Sequence, residues 1–574
     1  MMSPLDTLLL RIETHLSLIY GEGDHGSLVE ELVEAMRLRE HFFEPVPFTN
    51  HWSEKDVALI TYGNTIQRPG FKPLEELLEF LDSRLQESLS IVHVLPYFPW
   101  TSDDGFAVSD YELVNPELGD WSHIEELSQK YRVMSDLVVN HCSASHQWFV
   151  QFQNDEEPGM HYFFQADPED DLSEVVRPRT SPLLRPTETP SGTKYVWCTF
   201  GHDQVDLDFS EPDLLVELVK IIRAHLDHGV SVFRLDAVAF IWKEVGSRSI
   251  NLIQTHELVR LFRTLIEHVK PDAVIITETN IPNHENLAYF GNCNEAHSIY
   301  NFSLPPLLVH ALTTGNSFHL KQWLMRMPPA QPGTTYFNFI ASHDGIGLRP
   351  AEGLLTDEEI DDLVAVMKSR GGLISERALS EGVTRPYEIN ISLFDALGGE
   401  EEFFCAHTVL LALEGIPAFY IHSLLGTHND YERYGRTKHN RHINRHQWNA
   451  EELDRHLNDP DSHHARVLAR MLELIEIRKS QSAFHPNATQ FTLHLGDEVF
   501  AFWRQSTDRR NSVFCIHNIS GLKQEIPVSS INLIATEDWI DLLSGEALDP
   551  VASEIVLKPY QSVWLANRRK HLPY

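Results

Sequence analysis

Residues 230–238, VSVFRLDAV, read as a core strand that carries two charges. Its valines, phenylalanine and leucine have the β-branched and aromatic character of a strand buried on both faces. Alternation along a strand puts Arg234 and Asp236 on the same side. Buried charge is costly unless it is paired or used. The pair is therefore either a structural ion pair or part of an active centre, and the neighbouring strands decide which.

Working outward, seven further segments have the same character: 57–64, 90–97, 133–141, 273–280, 297–302, 335–344 and 416–426. Helical patterns such as LEELLEFLDSRL and LLVELVKIIRAHL separate them. Eight strands alternating with helices predict an α/β fold, a (β/α)8 TIM barrel over residues 57–484. The rhythm breaks twice, at 142–205 after strand 3 and at 345–405 after strand 7. Structureless loops of that size are uncommon, so each predicts an inserted subdomain over the barrel mouth. Residues 1–56 read as an N-terminal helical extension. Residues 485–574, with FTLHLG, VFAFWRQ, NSVFCIHNIS, SEIVLK and SVWLAN, predict a C-terminal all-β domain.

Bulk composition bounds the partners. The chain has 574 residues, 42% of them hydrophobic, as a globular protein does. Its 46 Lys and Arg face 83 Asp and Glu, a formal net charge of −37, which argues against a nucleic-acid partner. An anionic substrate would need a local basic cluster working against that field. The five cysteines (Cys142, Cys198, Cys293, Cys405, Cys515) show no CxxC spacing, which speaks against a disulfide framework or a zinc site. In the first twenty residues Leu8, Leu9, Ile12, His15 and Leu16 recur with helical period, which describes an amphipathic helix rather than a signal peptide. No apolar run reaches membrane-spanning length. The expectation is a cytoplasmic protein with no membrane partner.

The catalytic groups of such a barrel stand at the C-terminal ends of its strands. Strand 2 carries His93 and leads into TSDDGF, with Asp103, Asp104 and Phe106. Strand 3 ends in DLVVNH (Asp136, Asn140, His141), strand 4 in Arg234 and Asp236, strand 5 at Glu278, and strand 7 at His343 and Asp344. Strand 8 runs into a basic loop with Arg433, Arg436, Arg441 and Arg445. Two carboxylates facing one substrate are the equipment of glycosidic-bond chemistry, and a third favours an oxocarbenium-like transition state. Arg234 among the acids argues against a metal centre. Neither a metal nor a cofactor is expected.

DLVVNH, FRLDAVAF, ITETN and FIASHDG, in that order, resemble the α-amylase superfamily, and the likeness covers roughly residues 57–574. HVLPYFPWTSDDGFAVSDY, RPRTSPL, SLPPLLVHAL, SHDGIG, YEINISLFDAL and INRH narrow it to the sucrose phosphorylase branch. That resemblance implies Asp236 as nucleophile, Glu278 as acid/base and Asp344 as transition-state stabiliser. Arg234 would orient Asp236 and keep it ionised. Asp103, Phe106, His141, His343 and Arg445 would hold the glucosyl unit, with Asp103 and Arg445 on its distal hydroxyls. A phosphorylase must let phosphate, rather than water, attack the glucosyl-enzyme. Arg177 and Arg179, with Tyr387 as hydrogen-bond donor, are the candidates for binding it.

The acceptor is where the sequence departs from sucrose phosphorylases. EGVTRPYEIN places Arg385 and Glu388 in the strand-7 insertion, the strand-8 loop is rich in arginine, and a helical extension precedes the barrel. These features resemble the glucosylglycerate phosphorylases of the branch. A glycerate carboxylate suits a bidentate guanidinium, with Arg385 and one of Arg433, Arg436 or Arg441 as the clamp. The expected partners are a small α-glucoside and inorganic phosphate. Glucosylglycerol, sucrose or sucrose 6-phosphate as substrate, an α-glucosidase or transglucosylase, and an inactive binding protein are the alternatives. The oligomeric state is left open between monomer and homodimer.

Overall fold

The computed structural model describes residues 3–380, 383–531, 533 and 538–568. Eight parallel strands close into a barrel: β1 (Ala58–Thr61), β2 (Ile91–Val94), β3 (Arg132–Val138), β4 (Val230–Asp236), β5 (Val274–Thr277), β6 (Ser298–Tyr300), β7 (Thr335–Phe339) and β8 (Ile416–Tyr420). Each of the eight expected segments coincides with one of them, β3 starting one residue early at Arg132. β8 is shorter than its segment, because the chain turns into a helix at Ile421–Leu424. Closure pairs Ala58 of β1 with Ala418 of β8. Side chains on both faces of these strands are buried, which explains why they read as near-continuous apolar runs.

Register delivers the acids to one place. Val138 lies opposite Asp236, and Leu235 lies opposite Thr277. The Glu278 amide donates to the Leu235 carbonyl at 3.1 Å, so Glu278 leaves the top of β5 beside the end of β4.

Two helices precede the barrel, α1 (Pro4–Tyr20) and α2 (Gly26–Ala35). The barrel helices α3 (Pro212–Asp227) and α4 (Ile253–Val269) receive them, α2 on α3 and α1 on α4. Ser3 caps α1 in a capping box with Asp6, and Pro4 opens its first turn. Leu8, Ile12, His15, Leu16 and Ile19 form the buried stripe of α1. His15 reaches across to Glu257 and to Thr264.

After β3 the chain builds a small unit with its own cluster of Val175, Leu183 and Trp197, and a hairpin of Leu184–Thr189 with Gly192–Trp197. After β7 a helix, Asp357–Ser369, stands beside a sheet of Ile346–Gly347, Val383–Asn390 and Leu373–Ser380. The helix Glu400–Ala412 runs through the expected boundary at 405 and leads directly into β8. Beyond residue 485, five antiparallel strands lie in the order 489–493, 499–505, 512–518, 562–568, 538–541, and Gln524–Pro527 pairs with Glu554–Leu557. No helix among the described residues is long and apolar enough to cross a membrane.

Candidate active site

At the C-terminal mouth of the barrel a pocket of about 640 Å³, open mouth included, is lined by Asp236, Glu278 and Asp344. Beneath them Arg234 is fully enclosed. Its Nη1 donates to Asp236 Oδ1 at 2.9 Å and to Asp136 Oδ1, and its Nη2 lies 3.8 Å from Glu278 Oε1. His93 Nε2 is 2.7 Å from the other oxygen of Asp136. One guanidinium is therefore shared among three carboxylates. The chain turns away after β4 because Ala237 adopts a left-handed conformation (φ 51°), which aims its amide at Glu278 Oε2, 3.0 Å away.

The three lining acids differ in electrostatics. Burial pushes the Asp236 carboxyl well up; Arg234 opposes this, and Glu278 adds to it. Burial also raises Glu278, again against Arg234 and helped by Asp344. Arg234 works against the burial of both acids, as expected for a group that favours the ionised form of Asp236. Because its contact to Asp236 is closer than its contact to Glu278, a proton shared by the two acids resides on Glu278. For Asp344 burial is outweighed by Arg441, whose Nη1 is 2.8 Å from Oδ1, and by His343, Arg234 and Arg445, so the group is held below the usual carboxylate range. The set comprises one acid and two anions.

The rest of the floor suits a hexose. Phe106 stacks on His343 with centroids 5.2 Å apart and planes 7° apart. Both ring nitrogens of His343 are buried and make no hydrogen bond among the described residues, nor does Arg445 Nη2. Burial depresses His343 far below its ordinary value, leaving a neutral ring. His141, pushed down to about 4 by burial, has Nε2 3.0 Å from the Phe106 carbonyl and 3.2 Å from Gln204 Nε2. Buried polar atoms without hydrogen bonds are costly, and sugar hydroxyls are groups that would satisfy those of His343, which lines the pocket, whereas Arg445 lies behind the lining. Asp103 lines the pocket, but the close carboxylate of Arg445 is its neighbour: Asp104 Oδ2 is 2.8 Å from Arg445 Nη1, against 3.8 Å for Asp103 Oδ1. Asp103 and Asp104 are both left-handed (φ 53° and 48°), and His442 donates to Asp104 at 2.8 Å to help hold that turn. Gly105 follows at φ +119°, where a Cβ would meet the Pro96 carbonyl oxygen at 2.7 Å.

The basic residues separate into two groups. Arg179 lines the pocket, its Cζ 5.5 Å from the Phe200 ring centroid and 5.3 Å from that of Tyr387. Tyr387 lines it too, and Asn280 Nδ2 donates to its hydroxyl at 3.2 Å. Arg177 is not brought there and instead donates to the Ser181 carbonyl. Arg385 is a correction to the expected clamp: it faces away and pairs with Asp357 at 2.5 Å, on a half-exposed edge. Arg436 points to solvent, 3.9 Å from Glu432. Arg433 donates to the Arg445 carbonyl and lies 3.6 Å from Asp104, beneath the site. Glu388 is engaged by Arg441 through both oxygens, at 3.0 and 2.9 Å.

Arg441, which the sequence offered only as one of three alternatives, is the strand-8 arginine that lines the pocket. Gln204, Phe200 and Asn280 were not anticipated. Asn280 had a usable signal, standing two residues past Glu278. Gln204 and Phe200 had none, since the far end of an insertion has no sequence period that ties it to the barrel.

Fold and site together define an α-amylase-type barrel equipped for double displacement at a glucosidic carbon. Residues 88–347 match the family described as alpha amylase, catalytic domain. The chain is 40% identical over 566 residues to the glucosylglycerate phosphorylase of Allomeiothermus silvanus, covering 96% of this chain and 98% of that one. It is 30% identical to the glucosylglycerol phosphorylase of Marinobacter adhaerens, over 75% of this chain and 88% of that one. Among solved structures, sucrose 6F-phosphate phosphorylase from Thermoanaerobacter thermosaccharolyticum superposes with a TM-score of 0.73 at 23% identity, covering 88% and 98% of the two chains, a likeness of fold. The chain belongs to the glucosylglycerate phosphorylase family, within the α-amylase superfamily.

Proposed function

We propose that this enzyme reversibly phosphorolyses 2-O-α-glucosylglycerate to α-D-glucose 1-phosphate and glycerate with retention. The observation that carries the reading is the match to glucosylglycerate phosphorylase along nearly the whole chain, compared with a lower and shorter match where the acceptor is glycerol. In the first step an Asp236 oxygen bonds to C1 as the C1–O bond to glycerate breaks, and Glu278 gives its proton to the departing oxygen. In the second, a phosphate oxygen bonds to C1, the bond to Asp236 breaks, and the phosphate proton returns to Glu278. Two inversions give retention. Asp344, kept anionic by Arg441, faces the cationic character that develops at the ring in both transition states. No step requires a metal or a redox cofactor.

Glycerate leaves before phosphate attacks, so one cationic wall serves both anions in turn. Arg179 with Tyr387 is that wall: among the described residues Arg179 has no carboxylate partner, and its side chain borders the pocket. Arg441 is already committed to Asp344 and Glu388 and acts as part of the frame. Asn280 Oδ1, buried and without a hydrogen bond, is available to an acceptor hydroxyl.

The test is synthesis from glucose 1-phosphate with glycerate, glycerol, fructose and fructose 6-phosphate, following phosphate release. Glycerate should give the highest kcat/KM. A higher value for any of the other three overturns the acceptor assignment. Equal glucose release with and without phosphate overturns the phosphorylase assignment.

A further inference from the structure

Five residues past Asp344 the chain buries a second arginine that catalysis has not used. Arg349 is only 6% exposed, yet its guanidinium makes no hydrogen bond or ion pair among the described residues. The carboxylates that act on it, Glu352 and Glu285, are both engaged elsewhere. Glu352 Oε1 is 2.6 Å from Arg377 Nη2, and Glu285 Oε2 accepts from Asn251 at 2.7 Å. A guanidinium this nearly buried with no ion-pair partner is costly, and in this chain of net charge −37 anionic side chains are plentiful. Burial depresses the group, and Tyr387 is the first of the neighbours that oppose the shift. The backbone brings the two together: Ile346–Gly347 pairs with Val383–Asn390, and the Leu348 amide donates to the Tyr387 carbonyl at 2.9 Å. Arg179 stands over the ring of that same tyrosine.

We propose that Arg349 adds a second positive charge to the Arg179–Tyr387 corner, and that the two arginines together form a subsite for an oxyanion. The ligand chemistry is a phosphate dianion or an acceptor carboxylate, and the identification of the carboxylate as that of glycerate rests on the function proposed above. The subsite favours anionic acceptors over water once the glucosyl-enzyme has formed.

The test uses α-glucosyl fluoride, a donor whose leaving group does not need the corner. Asp236 displaces fluoride from C1, and the glucosyl-enzyme then partitions between water, giving glucose, and added phosphate or glycerate. That ratio does not depend on how much of a preparation is folded. In Arg349→Met the capture ratio at fixed acceptor concentration should fall about tenfold or more, the value of a charge-assisted contact, and Arg349→Lys should restore part of it. A fall with phosphate alone assigns the subsite to phosphate, a fall with glycerate alone assigns it to the carboxylate, and a fall with both makes it shared. Unchanged ratios with both, in Arg349→Met and in Arg349→Gln, overturn the proposal. If the wild-type enzyme captures phosphate but not glycerate, the acceptor reading fails and Arg349 is judged on phosphate alone.

Discussion

At the residue scale, the difference between Glu278 and Asp236 gives a sharp expectation. Asp236→Asn should cut turnover by on the order of 10⁴-fold or more with every donor, since no other group can carry the glucosyl unit. Glu278→Gln should cost about 10²- to 10⁴-fold with an alkoxide leaving group and far less with fluoride, which departs unprotonated. Burial raises Glu278 above the ordinary glutamate value, so the protonated acid persists to higher pH. Activity on the glucoside should fall as pH rises through that raised value, and the fall should be absent with α-glucosyl fluoride. A common alkaline limb for both donors would contradict the assignment. The catalytic acids were legible in the sequence because strand ends are special in a barrel. The arginines were not, because a loop position does not tell which way a long side chain points. Arg385 and Arg441 test that distinction. Arg385→Ala removes an exposed pair and should change the KM for glycerate by no more than about fivefold. Arg441→Ala takes the nearest cation from Asp344 and Glu388 and should lower kcat/KM by about a hundredfold or more. The reverse order of effects would restore Arg385 as the clamp.

At the element scale, β-strand and helix periods carried the barrel, and the misjudged places are those where an element is decided by its neighbours. The end of β8 becomes helical although its residues remain buried, and Glu400–Ala412 crosses a boundary drawn from spacing alone. The base of the barrel holds another contact of this kind. Glu414, just before β8, accepts the Ala330 amide at 2.8 Å, and its own amide donates to Gln490 of the C-terminal sheet at 2.9 Å. Burial pushes Glu414 up to about 7, against the Ala330 amide and Arg504. A carboxyl group raised above its unfolded value favours the fold below that unfolded value, and this contribution is lost as pH rises through about 7. Glutamine keeps the acceptor and carries no charge. Glu414→Gln should leave the melting temperature unchanged at pH 5 and raise it at pH 8.5. A stabilisation of equal size at both values would show that Glu414 does not titrate in this range.

At the scale of the whole molecule, composition and site pull in opposite directions. A formal charge of −37 repels phosphate and glycerate, while Arg179 attracts them only at short range. The global charge was legible from the sequence; the local exception depended on which arginines the fold turns inward. Salt separates the two contributions, because the Debye length shrinks from roughly 30 Å at 0.01 M to about 8 Å at 0.15 M. Over that range the long-range repulsion is screened while contact with Arg179 persists. With the glucosyl-enzyme formed from α-glucosyl fluoride, kcat/KM for phosphate should therefore rise about two- to tenfold between those ionic strengths, and hydrolysis by water should stay level. A fall instead would mean that positive charge at the barrel mouth, not the acidic surface, dominates the approach. The anion would then be steered in from a distance rather than caught at the wall.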